Sequence, residues 1–200
     1  MPAKKSPEKA QALLAAAGAV FARHGYRSAT IDQVAEAAGV AKGTVYLYFA
    51  SKEDLFFALF EEMARQAMAS LPDLAAASDK PALKRIEALF RAVGESLDAN
   101  EAIIPLTLEF WSASGVAETK ARFGGAFAEM FAEFRAALTA ILKDGAAKGE
   151  IRKDAARAEV ASCLMAMIDG LIIQQWTDPR IRLADVFGKA LPVLLRGLKA

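Results

Sequence analysis

Hydrophobic residues along this chain recur every three or four positions, and no stretch alternates strictly over the length of a strand. That spacing is typical of amphipathic helices, and glycine, proline and capping residues divide it into segments. The pattern therefore predicts an all-α chain with about nine helices. They cover about residues 7–24, 31–38, 42–48, 52–71, 81–99, 103–113, 117–145, 155–176 and 183–198.

Several helix ends carry their own signals. Ser6 followed by Pro7 is a typical start for the first helix, and Gly25 supplies its stop. The longest helix is predicted to break at Gly145, with Gly149 beyond it. These signals fix the helix ends more closely than hydrophobic spacing alone.

Residues 30–55, TIDQVAEAAGVAKGTVYLYFASKEDL, carry the densest set of such signals. Thr30 with Gln33 forms one predicted capping box, and Ser51 with Asp54 forms another. Two short helices result, with Val34, Ala35, Ala38, Val40, Val45 and Phe49 between them. The second short helix keeps an outward face made of Lys42, Gly43, Thr44, Tyr46 and Leu47. A short braced helix with an exposed polar and aromatic face fits a DNA major groove.

This stretch resembles the TetR family of bacterial transcriptional regulators. The mild departure is Ala41, where the family commonly has a serine that caps the second short helix. The match covers the first quarter of the chain, and beyond it only the general architecture is similar. The matching residues are Thr30, Ile31, Val34, Ala35, Ala38, Gly39, Val40, Ala41, Gly43, Thr44, Val45, Tyr46, Tyr48, Phe49, Ser51, Lys52, Glu53 and Leu55.

The resemblance implies a three-helix, helix-turn-helix DNA-binding domain over residues 1–52. An effector-binding and dimerisation domain would follow over 53–200, a helical bundle that dimerises through its last two helices. The implied function is a ligand-responsive regulator, in the first place a repressor that binds a palindromic double-stranded operator as a dimer. A small, largely apolar effector would release it. Coupling would run along the helix that begins at Ser51.

The DNA contacts divide into phosphate and base contacts. Thr30, Lys42, Tyr48 and Lys52 are expected at phosphates. Thr44, Tyr46 and Leu47 are expected at base edges and thymine methyl groups, with Gly43 allowing close approach. Packing within the DNA-binding domain is the alternative role for the two tyrosines.

The family keeps an effector cavity within its helical bundle. Large, soft side chains at helical spacing are more often core than ligand contacts, so a core role is the leading alternative for each. Glu109 and Asp169 are carboxylates inside apolar runs, and each needs a partner, a water or a ligand if buried. The predicted pocket residues are Met63, Phe90, Glu109, Phe110, Trp111, Phe127, Met130, Phe131, Phe134, Met165 and Asp169.

Composition adds an independent argument for a dimer. Hydrophobic residues make up 54% of the chain, with a mean hydropathy of +0.22. Residues 160–176 are apolar nearly all round, and the last helix is similarly rich. A 200-residue monomer cannot bury both helices, so a four-helix seam around a two-fold axis is expected, with Leu191 and Leu194 in it. Cys163 is expected to pack inside.

Charge is unevenly distributed. Residues 1–52 hold seven basic and three acidic residues, a net charge of +4, whereas the remainder holds 18 basic and 21 acidic residues, a net charge of −3. A basic first domain suits phosphate binding. Charges interrupt the most apolar stretch and no secretory leader is recognisable, so a cytoplasmic protein without a membrane span is expected.

Two other classes of function are weaker. One histidine, His24, and one cysteine allow no nucleophile–base pairing and no usual metal site, so no enzyme, cofactor or metal is expected. A nucleoid-type protein that binds DNA regardless of sequence is the alternative. It would leave three-quarters of the chain without a role.

Overall fold

The computed structural model of the chain describes residues 6–69, 71, 73, 76, 79–99 and 102–200, apart from the side chain of Glu118. Nine α-helices occupy these residues, which confirms the predicted all-α class. They are α1 Pro7–Ser28, α2 Ile31–Ala37, α3 Lys42–Tyr48, α4 Lys52–Met68, α5 Ala82–Asp98, α6 Ile103–Gly115, α7 Ala117–Ala147, α8 Arg157–Thr177 and α9 Leu183–Leu195, with a 3₁₀ turn at Arg196–Leu198.

Capping residues set the helix ends as the sequence predicts. The Ser6 side chain accepts a hydrogen bond from the backbone of Lys9 and starts α1. Gly25 interrupts that helix with a φ of 72°, and one further turn follows to Ser28, beyond the predicted end. The break needs glycine because other residues rarely adopt a left-handed backbone.

Gly145 does not end the longest helix, so that prediction is wrong. The helix continues to Ala147, and Gly149, with a φ of +75°, follows its end. Gly145 is instead a point of close approach. A Cβ atom there would lie 2.5 Å from the Cβ of Ala82 and 2.8 Å from Ile151. Only a glycine lets α7 pack this near to both neighbours.

The chain folds into two compact units, each of which combines separate stretches of sequence. The first contains Met1–Arg65 and Ala102–Ala126, and the second contains Gln66–Glu101 and Phe127–Ala200. The predicted boundary at residue 52 is a division by function and stays a prediction. Compactness alone groups α6 and the start of α7 with the three N-terminal helices.

An aromatic cluster fills the core of the first unit. Phe56, fully buried, packs edge-on against Phe21 at 5.1 Å and stacks on Tyr26 at 4.3 Å between ring centroids. It also lies 4.7 Å from Phe110 and 5.5 Å from Phe123. Rings in such offset and edge-on pairs add to the stability gained by burial. The cluster joins α1 and α4 to α6 and α7.

The second unit has an aliphatic and aromatic core. Phe90 of α5 packs edge-on against Phe187 of α9 at 5.1 Å. Gly94 lets these two helices cross closely, since a Cβ there would lie 2.7 Å from the backbone nitrogen of Ala184. The carboxylate of Asp98 accepts hydrogen bonds from the backbone nitrogens of Leu183 and Ala184 and so caps α9.

Two predictions about burial are wrong. Cys163 is exposed on α8 rather than packed inside. Leu191 is fully buried within the single chain, so it cannot lie in a seam between two chains, whereas Leu194 is exposed. Both helices are as apolar as the sequence indicates, but which face turns inward depends on the neighbouring helices.

Among the described residues, α8 alone is long and apolar enough to span a membrane on length and composition. A core helix of a soluble protein passes the same test, and 33% of its most apolar window is buried in the chain. One such helix is weak evidence for a membrane protein.

Candidate DNA-binding and effector sites

Helix α3 presents the predicted reading face. Val45 is fully buried and anchors the helix, while Lys42, Gly43, Tyr46 and Leu47 are exposed. Thr44 and Tyr48 are partly exposed. Ala41 precedes the helix without a side-chain cap, as its sequence implies. The result is a seven-residue helix whose one buried side chain is Val45 and whose exposed surface combines aromatic, aliphatic and basic residues.

Lys42 forms an exposed ion pair at the start of this helix. Its Nζ lies 2.8 Å from Oδ2 of Asp32 on α2. The hydrogen bond to Asp32 raises the pKa of Lys42, and the negative charge of the same carboxylate adds to the shift. Both partners face solvent, so the pair contributes little to stability and its ammonium group can exchange partners.

Thr30 caps α2 with the predicted reciprocal box. Its hydroxyl accepts from the backbone of Gln33 at 3.3 Å, and Oε1 of Gln33 accepts from the backbone of Thr30 at 2.8 Å. The start of α2 is therefore fixed independently of DNA. Val34 and Ala35, on the same helix, are buried and set its distance from α3.

Tyr48 links the end of α3 to the start of α1. Its hydroxyl oxygen accepts a hydrogen bond of 2.9 Å from the backbone nitrogen of Ser6. Tyr48 thus has a packing role within the first unit, and its phosphate contact stays a prediction.

Lys52 is the first residue of α4, and its ammonium group is bound within the first unit. Its Nζ donates to three backbone carbonyl oxygens, those of Tyr26, Arg27 and Ala29, at 2.9, 3.1 and 3.0 Å. The ammonium group is turned towards the end of α1. No sequence signal pointed to these acceptors, because they precede Lys52 by more than 20 residues.

Sequence reasoning also missed Arg122, which lies near the start of α7. Its guanidinium donates to Oδ1 of Asp54 at 2.8 Å and lies 4.1 Å from the ring centroid of Phe57. This hydrogen bond, together with that from Ser51, holds the pKa of Asp54 below its usual value. The contact joins residues 68 apart in the chain, and no local pattern reports it.

The predicted effector residues divide between the two units, and four belong to the first. Phe110 is buried in the aromatic cluster, and Met63 and Trp111 are partly exposed. Oε1 of Glu109 lies against Gly25, 2.9 Å from where a Cβ would be. Phe110 therefore has a core role, and Glu109 faces the break in α1.

The other seven belong to the second unit. Phe90, Phe127, Phe134 and Met165 are buried, and Met130 and Phe131 are partly exposed. Phe127 and Phe131 stack at 5.8 Å between centroids. Asp169 is half-buried on α8, and burial raises the pKa of its carboxyl group. An open cleft in this unit contains none of the predicted residues and is lined by Glu95, Asp98, Ala99, Arg182, Ala184 and Asp185.

Two family profiles match this chain. Residues 13–59 match the tetR family of bacterial regulatory proteins. Residues 82–188, more than half of the chain, match the C-terminal region of BetI-type transcriptional repressors. The first match covers most of α1, all of α2 and α3 and the first half of α4, and the second covers α5 to the middle of α9.

Individual proteins agree with these profiles. The fatty acid metabolism regulator protein of Bacillus subtilis (strain 168) is 41% identical over 63 residues, which span only 32% of either chain. The fatty acid degradation regulator FadR from Bacillus halodurans has the same fold, with a TM-score of 0.81, 26% identity and 98% coverage of both chains. FadR from Bacillus subtilis in complex with stearoyl-CoA gives a TM-score of 0.79 with 24% identity, over 94% of this chain and 98% of that one.

Proposed function

This chain belongs to the TetR family of bacterial regulatory proteins, and on that premise we propose that it represses transcription as a dimer on a palindromic operator. A small, largely apolar effector releases it from DNA. Both matching profiles describe regulators rather than enzymes, and none of the matches favours a nucleoid-type protein. A regulator of this kind works in the bacterial cytoplasm.

The observation that carries the DNA-binding proposal is the exposed face of α3. Tyr46 and Leu47 are large side chains left outside the core, and they share a short helix with Lys42 and Gly43. Lys42 and the capped start of α2 at Thr30 supply phosphate contacts. Thr44, Tyr46 and Leu47 supply base contacts, and Tyr48, the last residue of the helix, supplies a further phosphate contact.

The test of DNA binding is selection of duplexes from a random pool by the full chain. The expected product is a palindrome whose half-sites are about one helical turn apart. Comparison of that sequence with the region upstream of the chain's own gene then identifies a regulatory target. Enrichment of no sequence, with uniform salt-dependent binding, contradicts the proposal.

The dimer rests on apolar surface in the last two helices. Ile173 and Trp176 on α8 and Val193 and Leu194 on α9 are exposed in the single chain, although all four are large apolar side chains. Helices α8 and α9 pack against each other within the second unit. A second copy, related by a two-fold axis, would cover these residues in a four-helix bundle. It would also give the operator two reading faces.

The effector proposal rests on the second unit. Phe127, Met130 and Phe131 place large, soft side chains on successive turns of α7, and Phe90, Phe134 and Met165 are buried nearby in the same unit. Glu109 faces Gly25 in the first unit, which removes one of the two carboxylates that would favour a cationic ligand. The names of the similar fatty acid regulators, one of them in complex with stearoyl-CoA, make long-chain acyl compounds the first class to test.

Coupling would follow the continuous helices. Helix α4 begins beside α3 and runs to Met68, so residues of both units belong to it. Its start is held by Ser51 and by Arg122 through Asp54. A ligand that displaces the far end of α4 would change the spacing between the two reading faces of the dimer, and a rigid duplex tolerates little mismatch.

The effector test is a thermal-shift screen followed by operator titration. Fatty acids, acyl thioesters and neutral aromatic compounds form the first set, and lipophilic cations form the second. A ligand that weakens DNA binding tenfold must itself bind tenfold more weakly to the DNA complex. Ligands that stabilise the protein without changing operator affinity would contradict control by this route.

A further inference from the structure

We propose that Lys52 is a positioning residue, which holds the turn between α1 and α2 and makes no phosphate contact. The inference rests on the proposed function, because it concerns how the helices that read DNA are held. It departs from the role that the sequence suggests for this lysine.

The hydrogen bonds of Lys52 use all of its donors. A lysine ammonium group has three N–H bonds and no acceptor. Nζ of Lys52 donates to the carbonyl oxygens of Tyr26 at 2.9 Å, Ala29 at 3.0 Å and Arg27 at 3.1 Å. A phosphate oxygen could bind only after one of these carbonyls was released. The carbonyls of Tyr26 and Ala29 are partly buried, and leaving one of them without a donor costs free energy that opposes the exchange.

The three acceptors are carbonyls that the fold would otherwise leave without a helical partner. Gly25 breaks α1, and the last turn of a helix has carbonyls that no following amide can reach. Ala29 directly precedes Thr30, the cap of α2. Lys52, the first residue of α4, therefore ties the end of α1 and the start of α2 to α4.

The aromatic core fixes this arrangement from the other side. Nζ of Lys52 lies 4.7 Å from the ring centroid of Tyr26, within the range of a cation–π contact. The same ring stacks on the fully buried Phe56. The turn is thus held between the ammonium group and the core of the first unit, and it is formed before DNA arrives.

Lys42 provides the contrast within the same domain. Its ammonium group is bound to the exposed carboxylate of Asp32, and the side chains of both residues are more than half exposed. That ion pair can be exchanged for a phosphate at little cost. The two lysines should therefore differ in their effect on salt dependence, although each carries one positive charge.

The test compares Lys52→Met, Lys52→Gln and Lys42→Met on two probes. The probes are the duplex selected by the unmodified chain and a scrambled duplex of the same length. Affinities are measured on protein shown to be folded by thermal unfolding, so that a loss of stability alone leaves them unchanged. The salt slope is the change in the logarithm of affinity with the logarithm of salt concentration.

Lys52→Met should weaken binding to the selected duplex about tenfold and binding to the scrambled duplex by less. Its salt slope should stay within about half a unit of the slope of the unmodified chain. Lys52→Gln keeps two N–H donors without charge, so it should recover part of the affinity. Lys42→Met should reduce the slope by about one. A slope reduced by about one in both Lys52 variants, with no recovery by glutamine, would overturn the inference. Unchanged affinity of folded Lys52→Met would overturn it as well.

A second measurement observes the ammonium group of Lys52 directly in the unmodified chain, first without DNA and then with it. The ammonium protons of Lys52 in the unmodified chain should give an NMR signal protected from solvent exchange, assigned by its loss in Lys52→Arg. The signal should stay in place when the selected duplex is added. Absence of a protected signal, or a shift on DNA binding, would overturn the inference. Failure to select any duplex would instead count against the proposed function. The signal of the free protein would still test whether the ammonium group of Lys52 is bound to the three carbonyl oxygens.

Discussion

Large apolar side chains that stay exposed in the described part of the chain fall into two groups with different surroundings. Tyr46 and Leu47, exposed to 46% and 64%, lie on the seven-residue α3. Ile173, Trp176, Val193 and Leu194, exposed to between 49% and 57%, lie on the much longer α8 and α9. Exposure alone therefore does not identify a partner.

The neighbouring chemistry separates the two groups. On α3, Tyr46 and Leu47 follow Lys42 and Gly43. The charge of Lys42 suits the phosphate backbone of DNA, and Gly43 allows close approach. On α8, Ile173 and Trp176 lie one and two turns after Asp169 on the same helix face. The carboxylate of Asp169 is half-buried. The negative charge of Asp169 would repel DNA, whereas a helix of a second protein chain can cover both the apolar side chains and this carboxylate. The first group is thus suited to DNA and the second to another copy of the chain.

The largest effect is expected from a charge placed in the second group. Leu194→Glu would bury two carboxylates across the two-fold axis, each costing several kcal/mol without a partner. The dimer dissociation constant should rise at least about 100-fold, measured by sedimentation. DNA affinity should fall with it, because a monomer has one reading face.

Two matched variants on α9 complete this comparison. Lys189→Glu, also exposed on that helix, should leave the dimer intact. Leu191→Glu should unfold the chain rather than dissociate it, because Leu191 is fully buried. A Leu194→Glu protein that remains a tight dimer would show that α9 lies outside the interface.

The next effect concerns the reading face. Tyr46→Ala should lose ~1–3 kcal/mol on the selected duplex and relax the base preference at one position of each half-site. Binding to scrambled DNA should change little, and Tyr46→Phe, which keeps the ring, serves as the control. Thr44→Ala should show the same selective loss. Full affinity with unchanged base preference in both alanine variants would place the reading face elsewhere.

The helices were predictable because their ends carry local signals. Thr30 with Gln33 and Ser51 with Asp54 show where α2 and α4 begin. The glycines at 25 and 39 show where α1 is interrupted and where α2 has ended. The outward residues of α3 followed from the same local period. These features depend on distances of a few residues.

Long-range packing was not predictable in the same way. The grouping of 102–126 with the N-terminal helices rests on the rings of Phe110 and Phe123, which meet Phe56 from positions more than 50 residues away. The three carbonyls around Lys52 and the pairing of Arg122 with Asp54 have the same origin. A hydrophobic period shows that a helix has a buried face, but it does not show which neighbour covers it.

A smaller effect distinguishes phosphate attraction from base reading within α3. Lys42→Met should weaken binding to the selected and scrambled duplexes alike, by several-fold at moderate salt, with the salt slope reduced by about one. Asp32→Asn should strengthen both slightly, because it removes the acid that pairs with Lys42. Filter binding over a range of salt concentrations measures both slopes. A selective loss on the operator would instead assign Lys42 to a base.

The smallest effect is expected from Asp169, which shares α8 with part of the second group of exposed apolar residues. Burial disfavours the charged form of this carboxyl group and raises its pKa in the folded chain above that of an exposed aspartate. The folded state therefore binds a proton more readily than the unfolded state, so the charge lowers stability above the folded pKa. The penalty shrinks as the pH falls through that pKa, and it is gone only below the pKa of the unfolded chain.

Asp169→Asn should raise the thermal midpoint by a few degrees at about pH 7.5. The gain should be much smaller at about pH 4, where the exposed carboxyl group of the unfolded chain is itself about half protonated. A gain that is equal at both pH values would show that asparagine acts through packing rather than through charge. The acid on α8 would then no longer distinguish this surface from the one on α3.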